Sequence, residues 1–131
     1  MSQAGPTPAR PVVLVVDDED EIRTALLLTL QSAFEVVGVA SAEAAEDMLR
    51  QRKFELILCD HLMSGEDGLP FLIRMREKYP LMKRVLLTSY INPEMLSRST
   101  SLAGLSACLT KPMPGADLIA ALWQALAQPQ G

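Results

Sequence analysis

Two cysteines and a single histidine are the only thiol and imidazole side chains in this chain of 131 residues. Cys59 and Cys108 sit inside apolar runs without C-x-x-C spacing, and only His61 is near one of them. That excludes a tetrahedral zinc site and leaves two reduced core thiols as the reading. No apolar run approaches the ~18–20 residues of a membrane span, and the opening MSQAGPTPAR has no hydrophobic signal core. Basic clusters are missing too: Arg23, Arg74, Arg76 and Arg98 are scattered, and the formal charge is −4. Direct nucleic-acid binding is therefore disfavoured, because a phosphate grip needs clustered cations. What is present, 49% hydrophobic and 21% charged residues, is ordinary for a folded domain. One soluble, cytoplasmic domain is the expectation.

Residues 1–10 are small, polar and proline-rich and read as a flexible lead-in, with residues 129–131 as a short tail. Between them, residues 11–128 alternate between two patterns. PVVLVV, residues 11–16, is a β-branched apolar run whose length suits a strand buried on both faces. Ile22, Leu26, Leu30 and Ala33 then recur at helical spacing, with Asp18 or Asp20 available as the cap. EVVGVA, residues 35–40, is a second strand, and Ser41 caps a helix bearing Ala45, Met48 and Leu49. FELILC, residues 54–59, is a third strand, followed by a Gly- and Ser-containing loop and a helix marked by Leu69, Leu72, Ile73 and Arg76 that stops before Pro80. Residues 84–87 form a fourth strand. Asn92 followed by Pro93 is a strong helix start, and the Ser/Thr-rich helix after it is expected to be the least stable. SACLT, residues 106–110, is the fifth strand, and Asp117 opens a last helix with Leu118, Ile119, Leu122 and Leu126. Five βα units predict an α/β domain around a parallel, doubly wound sheet with right-handed crossovers.

The polar residues fall where such sheets bind ligands, beyond the carboxyl ends of the strands. Asp17 and Asp18 follow strand one, Asp60 strand three, Thr88 strand four and Lys111 strand five. Singly, each has a plain explanation: an acidic pair caps a helix, and a Lys-Pro pair is a solvated loop. Together they assemble a chemistry. Three crowded carboxylates are relieved by protonation or by a hard divalent cation, and oxygen-only ligation suits Mg²⁺. A carboxylate can attack phosphorus to form an acyl phosphate. Charge growing on the phosphoryl oxygens is then met by Mg²⁺, an ammonium such as Lys111 and a hydroxyl such as Thr88.

VVLVVDDED, LILCDHLMSGEDG, VLLTSY and CLTKP, spaced 28 residues from Asp60 to Thr88 and 23 from Thr88 to Lys111, resemble the receiver domain of two-component response regulators. The resemblance spans about residues 11–126. It implies the flavodoxin-like strand order 2-1-3-4-5, with Asp60 as phosphoacceptor and Asp17, Asp18, Asp60 and the backbone carbonyl of Leu62 around Mg²⁺. Thr88 and Lys111 match the switch hydroxyl and the phosphate-binding lysine, and Lys111–Pro112 the family's usual cis peptide. Phosphoryl would arrive from a histidine kinase or phosphotransfer protein. An output domain, a protein partner or a second copy would read the surface of helix four, strand five and helix five.

Three departures stand out. Ser64 replaces the usual proline four residues after the phosphoacceptor, which points to a more mobile loop. Cys108 replaces the usual aromatic three residues before the lysine, so the usual threonine–aromatic readout lacks its ring there, and Tyr90 is either a substitute signal or a half-exposed packing residue. Leu62 and Tyr90 flank the path of hydrolytic water and predict slow dephosphorylation. His61 is expected to face solvent. Trp123 either edges the core or, if exposed with Leu126, marks a partner surface. The competing readings are a pseudo-receiver that binds partners without phosphorylation, and an aspartyl-phosphate phosphatase. The latter is ranked low, because Asp17-Asp18-Glu19 is no Asp-x-Asp pair and no cap segment encloses a substrate. The chain is read as either a stand-alone receiver or part of a longer protein.

Overall fold

A computed structural model describes residues 10–89 and 92–129. The two terminal tails read from the sequence, apart from Arg10 and Pro129, and Tyr90 lie outside the described residues. Five strands, β1 (Val12–Val16), β2 (Glu35–Val39), β3 (Leu56–Asp60), β4 (Lys83–Thr88) and β5 (Ala107–Thr110), form one parallel sheet ordered β2-β1-β3-β4-β5. Helices α1 (Asp20–Leu30), α2 (Ala42–Gln51), α3 (Gly68–Lys78), α4 (Pro93–Ala103) and α5 (Gly115–Ala127) follow them in turn. This is the flavodoxin-like doubly wound architecture expected from the alternating patterns.

Period-two alternation divides the core. Leu14 and Val16 of β1, Ile57 and Cys59 of β3 and Leu86 of β4 pack with Ala45 and Leu49 of α2 and Phe71, Leu72 and Met75 of α3. Val13, Val15, Leu56, Leu58, Val85 and Leu87 point to the other face, against Leu30 of α1 and Leu118, Leu122 and Ala125 of α5. Apolar runs buried on both faces are what a central parallel strand needs.

Local chemistry sets three of the helix ends. Ser41 Oγ accepts from the Ala44 N–H, and Asn92 Oδ1 accepts from the Met95 N–H with Pro93 in the first turn. Gly104 ends α4 in the left-handed region, φ 58°. The buried Arg84 donates to the carbonyls of Ala103, Gly104, Tyr79 and Met82, covering chain ends behind α3 and α4. The α1 cap differs from expectation. Glu19, neither Asp18 nor Asp20, occupies that position and makes no side-chain cap bond. Asp17 and Asp18 are drawn toward the sheet end, as described next. The helical pattern also ends sooner than read, since Ala33 lies in the turn after α1.

Candidate functional site

The carboxyl ends of β1, β3, β4 and β5 converge on one side of the sheet. Asp60 is the last residue of β3 and pairs in register with Leu87, and Thr88 ends β4 beside Thr110 of β5. Lys111 follows directly, its N–H donating to the Thr88 carbonyl at 2.8 Å. The Asp17 N–H donates to the Val39 carbonyl at 3.1 Å, which holds the acidic pair at the end of β1. The sequence-expected Asp17, Asp18, Asp60, Thr88 and Lys111 thus come from four strand ends, and the Lys111–Pro112 peptide is cis.

Ligand oxygens of Asp17, Asp18 and Asp60 lie within 4.8 Å of one another. Asp17 is fully buried; its Oδ1 accepts from the Glu19 N–H at 2.9 Å, while Oδ2 has no hydrogen-bond partner. Burial raises the Asp17 carboxyl above its ordinary value, the Glu19 N–H works against this, and the charge of Asp60 adds to the rise. Asp18 moves the opposite way. The Ser64 N–H and hydroxyl both donate to its Oδ2 and hold it below the usual carboxylate range. Lys111 Nζ forms an ion pair with Asp60, which is itself buried. A buried carboxylate oxygen without a partner, facing two more carboxylates, is the donor set of a hard divalent cation such as Mg²⁺.

Two residues behind this cluster escaped the sequence reading. His61 is a correction: it is 7% exposed and does not face solvent. Its N–H donates to the Leu87 carbonyl at 3.0 Å, so strand pairing continues one residue past Asp60. Its Nδ1 lies 2.7 Å from Oγ1 of Thr88, which is 1% exposed. Gly68 is the second. A Cβ there would meet the Asp60 carbonyl oxygen at 2.1 Å, so α3 begins against the end of β3 only because the side chain is absent. In the sequence Gly68 signalled a turn, and nothing about His61 signalled burial.

Other singled-out residues are placed as follows. Leu62 is 53% exposed beside the site. Cys59 is fully buried and Cys108 partly so, both on the α2–α3–α4 face, and burial pushes both thiols up, which suits inert core cysteines. Trp123 packs against Phe34 with ring centroids 5.0 Å apart and planes tilted by 37°, and remains 44% exposed, while Leu126 packs partly buried. Among the described residues, no helix is long and apolar enough to cross a membrane.

A doubly wound five-stranded sheet with an acidic triad, a hydroxyl and a lysine at its carboxyl end defines a class, and the comparisons agree with it. The chain belongs to the response regulator receiver domain family, whose model matches residues 13–123. It is 36% identical over 114 residues to the hydrogenase transcriptional regulatory protein HoxA of Cupriavidus necator, covering 87% of this chain and 24% of that one. It is 33% identical over 109 residues to the response regulator protein VraR of Staphylococcus aureus, covering 81% of this chain and 52% of that one. The chain therefore spans about a quarter to a half of the length of these relatives. The receiver domain of an HD-domain protein from Pseudomonas fluorescens superposes with a TM-score of 0.83 at 25% identity, covering 95% of this chain and 93% of that one. The chemotaxis response regulator CheY4 of Vibrio cholerae does so with 0.82 at 27% identity, covering 89% and 99%.

Proposed function

We propose that this receiver domain takes a phosphoryl group onto Asp60 and uses the modification to change its affinity for a partner. The observation that carries the reading is the paired state of Asp60: buried, ion-paired to Lys111 and within reach of Asp17 and Asp18. A carboxylate so placed is shielded from bulk water, with the Lys111 ammonium on one side and the Asp17 and Asp18 carboxylates on the other. One oxygen of Asp60 attacks the phosphorus of a phosphohistidine donor, the donor's P–N bond breaks, and an acyl phosphate results. Lys111 then exchanges its carboxylate partner for a phosphoryl oxygen, and the Thr88 hydroxyl is the donor for another. Asp17, Asp18, Asp60 and the Leu62 backbone carbonyl would hold Mg²⁺. When bound, the ion neutralises charge on the phosphoryl oxygens.

A histidine kinase or phosphotransfer protein is the donor in this reading. The reader is an output domain, a protein partner or a second copy on the α4–β5–α5 face, and the setting is the cytoplasm. The edge position of β5 and the partial burial of Ala107–Thr110 support that surface.

Acetyl phosphate with Mg²⁺ supplies the test. Expected is one added phosphoryl group by mass spectrometry, absent in Asp60→Ala. No modification would favour a pseudo-receiver, and continuous turnover of phosphoesters would favour a phosphatase.

A further inference from the structure

Cys108 leaves the domain without an aromatic at the position from which its relatives are expected to follow the threonine, yet Thr88 is engaged. His61, the residue after Asp60, reaches across from β3 to the end of β4. Its Nδ1 is 2.7 Å from Thr88 Oγ1, and both residues are buried. In the tautomer with the ring proton on Nε2, Thr88 is the donor and Nδ1 the acceptor. A threonine hydroxyl has one proton to donate. Phosphoryl oxygens only accept, so a bond from Thr88 to the phosphoryl group uses the same proton that His61 holds.

We propose that His61 is an off-state latch on Thr88: it accepts the hydroxyl proton in the unmodified domain and must release it when Asp60 is phosphorylated. The inference deepens the proposed function and rests on it. His61 is a positioning residue in this scheme, acting through Thr88 without touching the phosphoryl group. The backbone around it is suited to the role. Its N–H is bonded to Leu87 and its carbonyl accepts from the Gly68 N–H at 2.8 Å, so the ring is carried on a fixed frame while the Thr88 side chain is the part that moves. The latch adds an opposing term to every phosphorylation event and keeps the unmodified population off.

The test is the affinity of the whole chain for beryllofluoride with Mg²⁺, a phosphoryl mimic, measured by titration calorimetry. His61→Phe keeps ring bulk and removes the acceptor. Losing one neutral hydrogen bond that opposes binding raises affinity by about three- to tenfold. In a Thr88→Ala background the same substitution changes affinity by less than about twofold, because the latch has lost its donor. His61→Asn, which restores an acceptor, brings the affinity back toward that of the natural chain. Histidine ¹⁵N spectra of the natural chain provide a readout without mutation: the Nδ1 signal shifts from hydrogen-bonded to free on adding beryllofluoride. Equal effects of His61→Phe with and without Thr88, lowered affinity, or an unchanged Nδ1 signal would each overturn the latch. Failure of the natural chain to bind the mimic at all would overturn the phosphoacceptor reading and the latch with it.

Discussion

Ser64 grips Asp18 twice, its N–H at 2.8 Å and its hydroxyl at 2.7 Å from the same carboxylate oxygen. The residue that departs from the usual proline thus ties the loop after β3 to the acidic pair after β1. Proline has no N–H and no hydroxyl and could make neither bond.

From that contact follows a pH effect. The donors depress the Asp18 carboxyl, so they stabilise the fold above the ordinary Asp range, and the contribution is lost as pH falls through the depressed folded-state value. In Ser64→Ala the hydroxyl is gone, and the Asp18 midpoint by ¹³C NMR rises toward the ordinary one. The variant is less stable than the natural chain at neutral pH, and the difference closes in acid. An unmoved midpoint would contradict the assignment.

Asp17 has the reverse sign. Its folded-state value is raised by burial above that of the unfolded chain, so the folded protein holds the proton more tightly. Stability contributed by this group is present below the ordinary value and falls as pH rises through the raised one, leaving the full cost at neutral pH. In the proposed reading, bound Mg²⁺ would relieve that cost. Thermal unfolding at pH 7 should show a Tm raised by a few degrees on adding Mg²⁺, with the gain shrinking in acid. Asp17→Asn should raise Tm without Mg²⁺ and remove most of the gain. Equal gains in both proteins would exclude Asp17 as a ligand.

Gly68 tests the geometry behind the site. A methyl at that position overlaps the Asp60 carbonyl oxygen and lies 3.1 Å from Cys59 Sγ. Gly68→Ala should lose about 1–3 kcal/mol in urea unfolding, the usual cost of overpacking. Because relief means pushing α3 away from β3, phosphorylation of Asp60 by acetyl phosphate should also slow. A neutral substitution would show that the helix start gives way freely.

The lifetime of the acyl phosphate depends on what flanks it. Leu62 offers no group to orient water, and slow decay is expected for the natural chain. Leu62→Glu places a water-binding carboxylate at the same exposed position and should shorten the half-life several-fold in a phosphate-release assay. A natural half-life of seconds would contradict the shielding role.

Sequence alone determined much of this protein. Runs such as PVVLVV and FELILC have the length and branching of strands buried on both sides, and Ser41 and Asn92 carry their capping chemistry in the residue itself. The acids, the hydroxyl and the lysine were legible because each sits where an apolar run stops, and the parallel α/β pattern says that such ends meet. Contacts across strands were not legible. Whether His61 faces water or Thr88 depends on how far β3 stays paired with β4, a register between residues 27 apart that no local pattern encodes. Similarly, Glu19 takes the α1 cap position in place of the expected Asp18 or Asp20, because Asp18 is bonded to Ser64 in the assembled site and Asp20 already lies inside the first turn, paired with Arg23. Local propensity acts through neighbours in sequence; only the folded sheet decides which polar atoms are neighbours in space.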